Sequence, residues 1–145
     1  MVATEKKKTS LARAVFSGSL GNMLEWFDYG LYGYFAAIIS ADFFVADDPI
    51  VGLLLSFLVF GTGFLVRPIG GILIGAYADK HGRIKALTLT ILCMGVCTML
   101  MGCLPTYSQV GILAPILLTV LRLLQGLATG GEFGSSLTFI SEYGT

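Results

Sequence analysis

From Ala86 to Leu104 the chain reads ALTLTILCMGVCTMLMGCL, without one charged side chain. At about 1.5 Å per residue such a run reaches roughly 28 Å as a helix, close to the thickness of the hydrocarbon core of a bilayer. Three further stretches share its character, Ala14–Ala41, Ile50–Ala78 and Val110–Ile140. The balance of the whole sequence points the same way. Hydrophobic residues make up 55% and charged residues only 12%, where a soluble domain carries about 25% charged residues. Too few polar side chains exist to coat a globule, so the expected solvent is lipid. The 19 glycines fit that reading, because small residues let membrane helices approach closely. The expected fold class is an all-α membrane protein with four transmembrane helices.

The connections between these stretches are short and unequal in charge. Residues 1–13 form a basic tail and 42–49 carry Asp42, Asp47 and Asp48 without Lys or Arg. Residues 79–85 hold Lys80, Arg83 and Lys85, 105–109 are uncharged, and 141–145 close the chain. Lys and Arg collect on the cytoplasmic side of membrane proteins. The spans 14–41, 50–78, 86–104 and 110–140 then alternate, with 42–49 and 105–109 outside and both termini in the cytoplasm. The apolar stretch after the tail is too long for a signal peptide and lacks a clear small-residue cleavage site, so it reads as a retained first span. A multi-pass place in the cytoplasmic (inner) membrane is the expected localisation. A formal net charge of zero gives no reason to expect nucleic acid as a partner.

Against this apolar background the charges inside the spans stand out. Glu25 and Asp28 lie three residues apart in GNMLEWFDYG, residues 21–30. A charge at mid-bilayer costs about 2.5–3.5 kcal/mol on insertion scales, so such groups face a bundle interior or water and usually pair. Counted from the two sides of the membrane, the two acids sit roughly 16–21 Å along the first span and Arg122 roughly 18 Å along the fourth. The depths match. Asn22, Glu25, Asp28, Tyr29 and Tyr32 follow an i, i+3, i+4 stripe expected to face inward. A carboxylate beside an arginine can switch between an ionised, paired form and a protonated, neutral one. Asp28, assisted by Glu25 and partnered by Arg122, is therefore the candidate for proton coupling. A static ion pair that fixes helix register is the other reading.

Two charges lie nearer the cytoplasmic ends. Arg67 reads either as a contact for a substrate anion or as a side chain snorkelling to the interface. Glu132 reads as a substrate or gating contact, or as a headgroup-level residue. Pro68 leaves the Phe64 carbonyl without a helical donor, so a kink is expected there. Cys93 and Cys97, four apart on one face, read as small apolar packing, since metal sites of this kind need more ligands. His81 is the only histidine, and no nucleophile–base set is visible. An enzyme is not expected, and neither cofactor nor metal is implied.

Residues 75–87, GAYADKHGRIKAL, resemble the cytoplasmic signature of the major facilitator superfamily, G-x-x-x-D-x-x-G-R-[KR]-x-x-L. Ile84 replaces the second basic residue, and Lys85 follows one position later. The spacing has a physical logic: Gly75 for close helix approach, Asp79 as acceptor, Gly82 for a tight turn, Arg83 as charge partner. With GNMLEWFDYGLYG at 21–33, RPIGG at 67–71 and RLLQGLATGGEFG at 122–134, the chain resembles the metabolite:proton symporter branch. That branch carries 2-oxoglutarate, citrate and other carboxylates, shikimate, proline and betaine. The resemblance implies a twelve-span carrier of which these are the first four spans, with a small metabolite and a proton as partners. It places Asp28 and Arg122 in coupling, and Gly75, Asp79, Gly82 and Arg83 in the inner gate. The expectation is the N-terminal segment of a proton-coupled carrier for a small organic acid or zwitterion, needing further helices and inactive alone. A self-contained four-span protein acting as a dimeric small exporter is the alternative.

Overall fold

The structure, a computed structural model, describes the backbone of residues 2–144 and the side chains of residues 12, 13, 15, 16, 18–132, 134 and 141. The side chains of Lys6, Lys7 and Lys8, which dominate the basic tail, lie outside the described residues. The described residues form helices and no strand: α1 (Val2–Tyr34), α2 (Ala36–Phe43), α3 (Pro49–Leu65), α4 (Arg67–His81), α5 (Arg83–Gly102), α6 (Tyr107–Val110) and α7 (Leu113–Gly144).

Local chemistry sets most of these ends. Asp48 caps α3, its carboxylate accepting from the Ile50 N–H at 2.9 Å, with Pro49 in the first turn where no donor is needed. Pro68 interrupts the helix as its missing N–H requires: α3 stops at Leu65 and α4 starts at Arg67. Gly82 turns α4 into α5 with φ +96°, a conformation that only glycine adopts freely. Thr106 and Gln109 close a capping box at α6.

Three segments among the described residues are long and apolar enough to cross a membrane: Pro49–His81, which is α3 and α4 together, Arg83–Gly102 and Leu113–Glu132. The expected first span, residues 14–41, is divided between α1 and α2 at Phe35 and is not one of the three. The division is slight, because Phe35 N–H still bonds Leu31 O and Ile39 N–H bonds Phe35 O, each at 2.9 Å. α1 also begins at Val2, so the backbone of the basic tail continues the helix.

The helix α7 is the centre of the molecule and packs against α1, α3, α4 and α5. Its buried residues Ala114, Leu118, Leu121, Arg122, Gln125, Ala128, Thr129 and Glu132 recur at three- and four-residue spacing, one continuous face. Glycines bring backbone onto backbone there. A Cβ added at Gly70 would fall on the Leu127 carbonyl, one at Gly126 on the Gly63 carbonyl, and one at Gly130 on the Arg67 carbonyl. Association in lipid relies on such close packing, since lipid tails are as apolar as the side chains they touch. The outer faces are apolar instead: Leu58 is 65% and Ile72 74% exposed, as lipid-facing positions would be.

Candidate functional site

Helices α1, α4, α5 and α7 enclose two ion pairs side by side. Arg122 of α7 is 3% exposed, and its Nη1 donates to Asp28 Oδ2 of α1 at 2.6 Å. One turn earlier on α1, Glu25 accepts from Arg67 Nη2 of α4 and from the Tyr29 hydroxyl, the latter at 2.6 Å. Each of these two acids meets a base, so each pair cancels its own charge, the condition under which charges are tolerated away from water.

The sequence reading set Asp28 against Arg122 and made Glu25 its assistant, without a base of its own. The structure divides them, Asp28 to Arg122 and Glu25 to Arg67. Three residues along a helix advance a side chain by about 4.5 Å, enough to present it to a different neighbour. Arg67 also departs from its two expected readings. It neither snorkels outward nor stands free for an anion, but turns inward onto Glu25. The break at Val66 places it at the first residue of α4, where its side chain lies over Phe64 at 4.6 Å and Tyr29 at 5.3 Å. Arg122 is likewise faced by rings, Tyr32 and Phe60 each at 4.6 Å from its Cζ. Its Nη2, buried, makes no hydrogen bond.

Of the expected stripe, Tyr29 is half-buried and Tyr32 buried, with its hydroxyl donating to Ser56 O of α3 at 2.9 Å. Asn22 departs from it and is exposed. Glu132 is 2% exposed, packed between α7 and α1 with its carboxylate where a Gly21 Cβ would stand. That burial does not fit a headgroup-level position.

The loop motif lies apart from this centre. Asp79 at the end of α4 and Arg83 at the start of α5 pair at 3.6 Å with the acid side chain 71% exposed, and Gly82 makes the turn between them as expected. Gly75 does not bring helices together here: a Cβ at that position meets nothing within 4 Å. Cys93, Cys97 and Cys103 are all free thiols.

Two site residues escaped the sequence reading. Gln125 accepts from Arg122 Nη1 at 2.5 Å and passes a hydrogen bond from Nε2 to Thr98 Oγ1 of α5 at 2.8 Å. Thr98 in turn reaches Asp28 Oδ1 at 3.4 Å. The available signals were the spacing of Gln125, three residues after Arg122, and a hydroxyl well inside the apolar run of α5, eight residues beyond Thr90. At the centre, between Glu25, Asp28, Tyr29, Arg122, Gln125 and Thr129, lies a cavity of ≈ 10 Å³, room for about one water molecule.

Comparison with known proteins adds what geometry alone lacks. Residues 14–145 match the family model described as sugar (and other) transporter. The glycine betaine/proline/ectoine/pipecolic acid transporter OusA of Dickeya dadantii is 41% identical over 133 residues, 92% of this chain and 26% of the relative. The proline/betaine transporter of Escherichia coli is 41% identical over 133 residues, 92% of this chain and 27% of the relative. A putative proline/betaine transporter of Staphylococcus haemolyticus is 44% identical over 131 residues, 90% of this chain and 28% of the relative. The chain thus spans little more than a quarter of the length of these relatives. No solved structure matches it.

Proposed function

The chain belongs to the sugar (and other) transporter family of the major facilitator superfamily, a family of transporters and not of enzymes, and from that premise we propose that it forms the first helices of a proton-coupled carrier for a small zwitterionic metabolite of the proline or betaine kind. The observation that carries the proposal is the contact between the half-buried Asp28 on α1 and the buried Arg122 on α7. The names of the relatives support the substrate class. Four spans with both termini cytoplasmic, and further helices to complete a twelve-span carrier, belong to the same reading. So does inactivity of the 145-residue chain on its own.

In this mechanism Asp28 has two forms. Ionised, it holds Arg122 and ties α1 to α7. Protonated, it is neutral, Arg122 loses its counter-charge, and the two helices are free to part. Each form favours one facing of the carrier, and the proton is moved because the two facings expose Asp28 to opposite sides. Glu25 is held by Arg67 and Tyr29 in a separate pair, so its part is secondary: it sets the field around Asp28. Asp79 and Arg83, at the α4–α5 turn, serve as the inner gate, and Tyr29, Tyr32 and Glu132 border the substrate path.

Asp28→Asn in the complete carrier mimics the permanently protonated form and tests the proposal. It abolishes accumulation of radiolabelled proline or glycine betaine against a gradient while exchange across the membrane continues, because exchange needs no net proton movement. An Asp28→Asn carrier that concentrates substrate like the parent makes the pair structural and refutes the coupling role.

A further inference from the structure

The polar contacts around Asp28 close into a ring, Asp28–Arg122–Gln125–Thr98, and the ring has a direction. A guanidinium only donates. The Gln125 amide must therefore turn its oxygen to Arg122 Nη1 and its nitrogen to Thr98, as it does at 2.5 and 2.8 Å. A threonine hydroxyl has one hydrogen. With Gln125 donating to its oxygen, that hydrogen is left for Asp28 Oδ1 at 3.4 Å. Arg122 serves the other oxygen, Oδ2, at 2.6 Å. Both routes from Arg122, direct and through Gln125 and Thr98, end as donors on Asp28.

Such a ring fits an ionised carboxylate, which only accepts, and it cannot run backwards, because Arg122 has no acceptor to offer. A proton arriving on Oδ1 meets the Thr98 hydrogen, and one arriving on Oδ2 meets the Arg122 hydrogen. Either way one side of the ring opens. The Thr98 hydroxyl has space to turn, since Thr98 and Asp28 share the wall of a second cavity of ≈ 210 Å³ that runs to Phe43 and Met101 near the end of α5. The other ionisable groups at this corner are few. Tyr32 and Glu25 are on α1, Arg67 from α4 is engaged by Glu25, and Glu132 of α7 lies on the Glu25 side. Toward Asp28, α3 presents the Phe60 ring, and α5 presents Thr98, which does not titrate.

We infer that Thr98 and Gln125 are positioning residues that carry the protonation state of Asp28 from α1 to α5 and α7. The inference rests on the coupling role given to Asp28 above. Without the ring, a proton on Asp28 would be felt by Arg122 alone. With it, the same event also releases α5, which carries no charge at this level.

The test uses the complete carrier and the ratio of proton-driven accumulation to counterflow exchange of radiolabelled proline or glycine betaine. Thr98→Val keeps the shape and removes the hydroxyl. The ratio falls about tenfold or more, the scale of one lost hydrogen bond to a charged group. Thr98→Ser restores it to near the parent. Gln125→Glu offers a second route to the same end: its carboxylate accepts from Thr98, turns that hydrogen away from Asp28, and lowers the ratio as Thr98→Val does. A Thr98→Val carrier with the parental ratio, or a Thr98→Ser carrier as impaired as Thr98→Val, overturns the inference. Equal loss of accumulation and counterflow in Thr98→Val, leaving the ratio untouched, overturns it too. Asp28→Asn in the same assay separates the two claims. If Asp28→Asn still accumulates substrate, the coupling role falls and takes the ring with it. If only Thr98→Val and Gln125→Glu keep the parental ratio, the ring alone falls.

Discussion

Gly70→Ala isolates the contact on which the bundle is built. The added methyl lands on the backbone carbonyl of Leu127, with the Leu127 Cα also in its way. No rotamer change relieves such an overlap, because both sides are main chain, so α4 and α7 must separate. Inserting carbon into a packed interior costs about 1–3 kcal/mol. At 1.4 kcal/mol per tenfold, that lowers the folding constant about 5- to 150-fold. Gly95→Ala on α5 is the matched control, since a Cβ there meets nothing within 4 Å. Both variants gain the same helix propensity, so their difference reports the contact. The assay is thermal unfolding in mild detergent, followed by the loss of monodisperse protein, for parent and both variants. Gly95→Ala unfolds with the parent or above it, and Gly70→Ala unfolds well below. Coincident curves for the two alanines would refute the claim that α4 and α7 meet through their backbones.

Two further outcomes are expected. Asp79→Asn in the complete carrier slows turnover and leaves KM less affected; its exposed pair with Arg83 contributes at most about 1 kcal/mol to the fold, so protein levels hold, and normal turnover with lost binding contradicts the gate role. Cysteine placed at Asp47 is labelled by an impermeant reagent from outside the cell while cysteine at Lys80 is not, and the reverse pattern overturns the proposed orientation.

How far the sequence could be read depended on how local the cause was. The break at Val66 was legible because Pro68 removes one specific donor, and the turn at Gly82 because its motif demands a glycine. Asp28 and Arg122 were legible because an unpaired charge in an apolar span is costly wherever it sits. Their supporting residues were not. Thr98 lies 70 positions from Asp28 and Gln125 lies 27 from Thr98. Neither carries a charge, so the energy that asks for a partner is smaller, and a threonine can meet it with a carbonyl of its own helix. Arg67 misled for a related reason: distance along a helix gives depth but not facing, and the break beside it turned the side chain inward. At Gly75 the described helices leave open space, so none of them is the neighbour that the motif reading gives this glycine.

The glycine seam between α4 and α7 bears on which part of the molecule can act as the lever. Across that seam Arg67 lends its backbone carbonyl to Gly130, and at the adjoining contact of α7 with α3 Arg122 lends its own to Gly63. Their separation is therefore fixed by main chain against main chain, which has no alternative rotamer to slip into. The two bases ride as one block. Glu25 and Asp28, by contrast, both hang from α1, which meets that block through side chains. A movement of α1 against that block, taken as a rigid helix, would carry both acids with it.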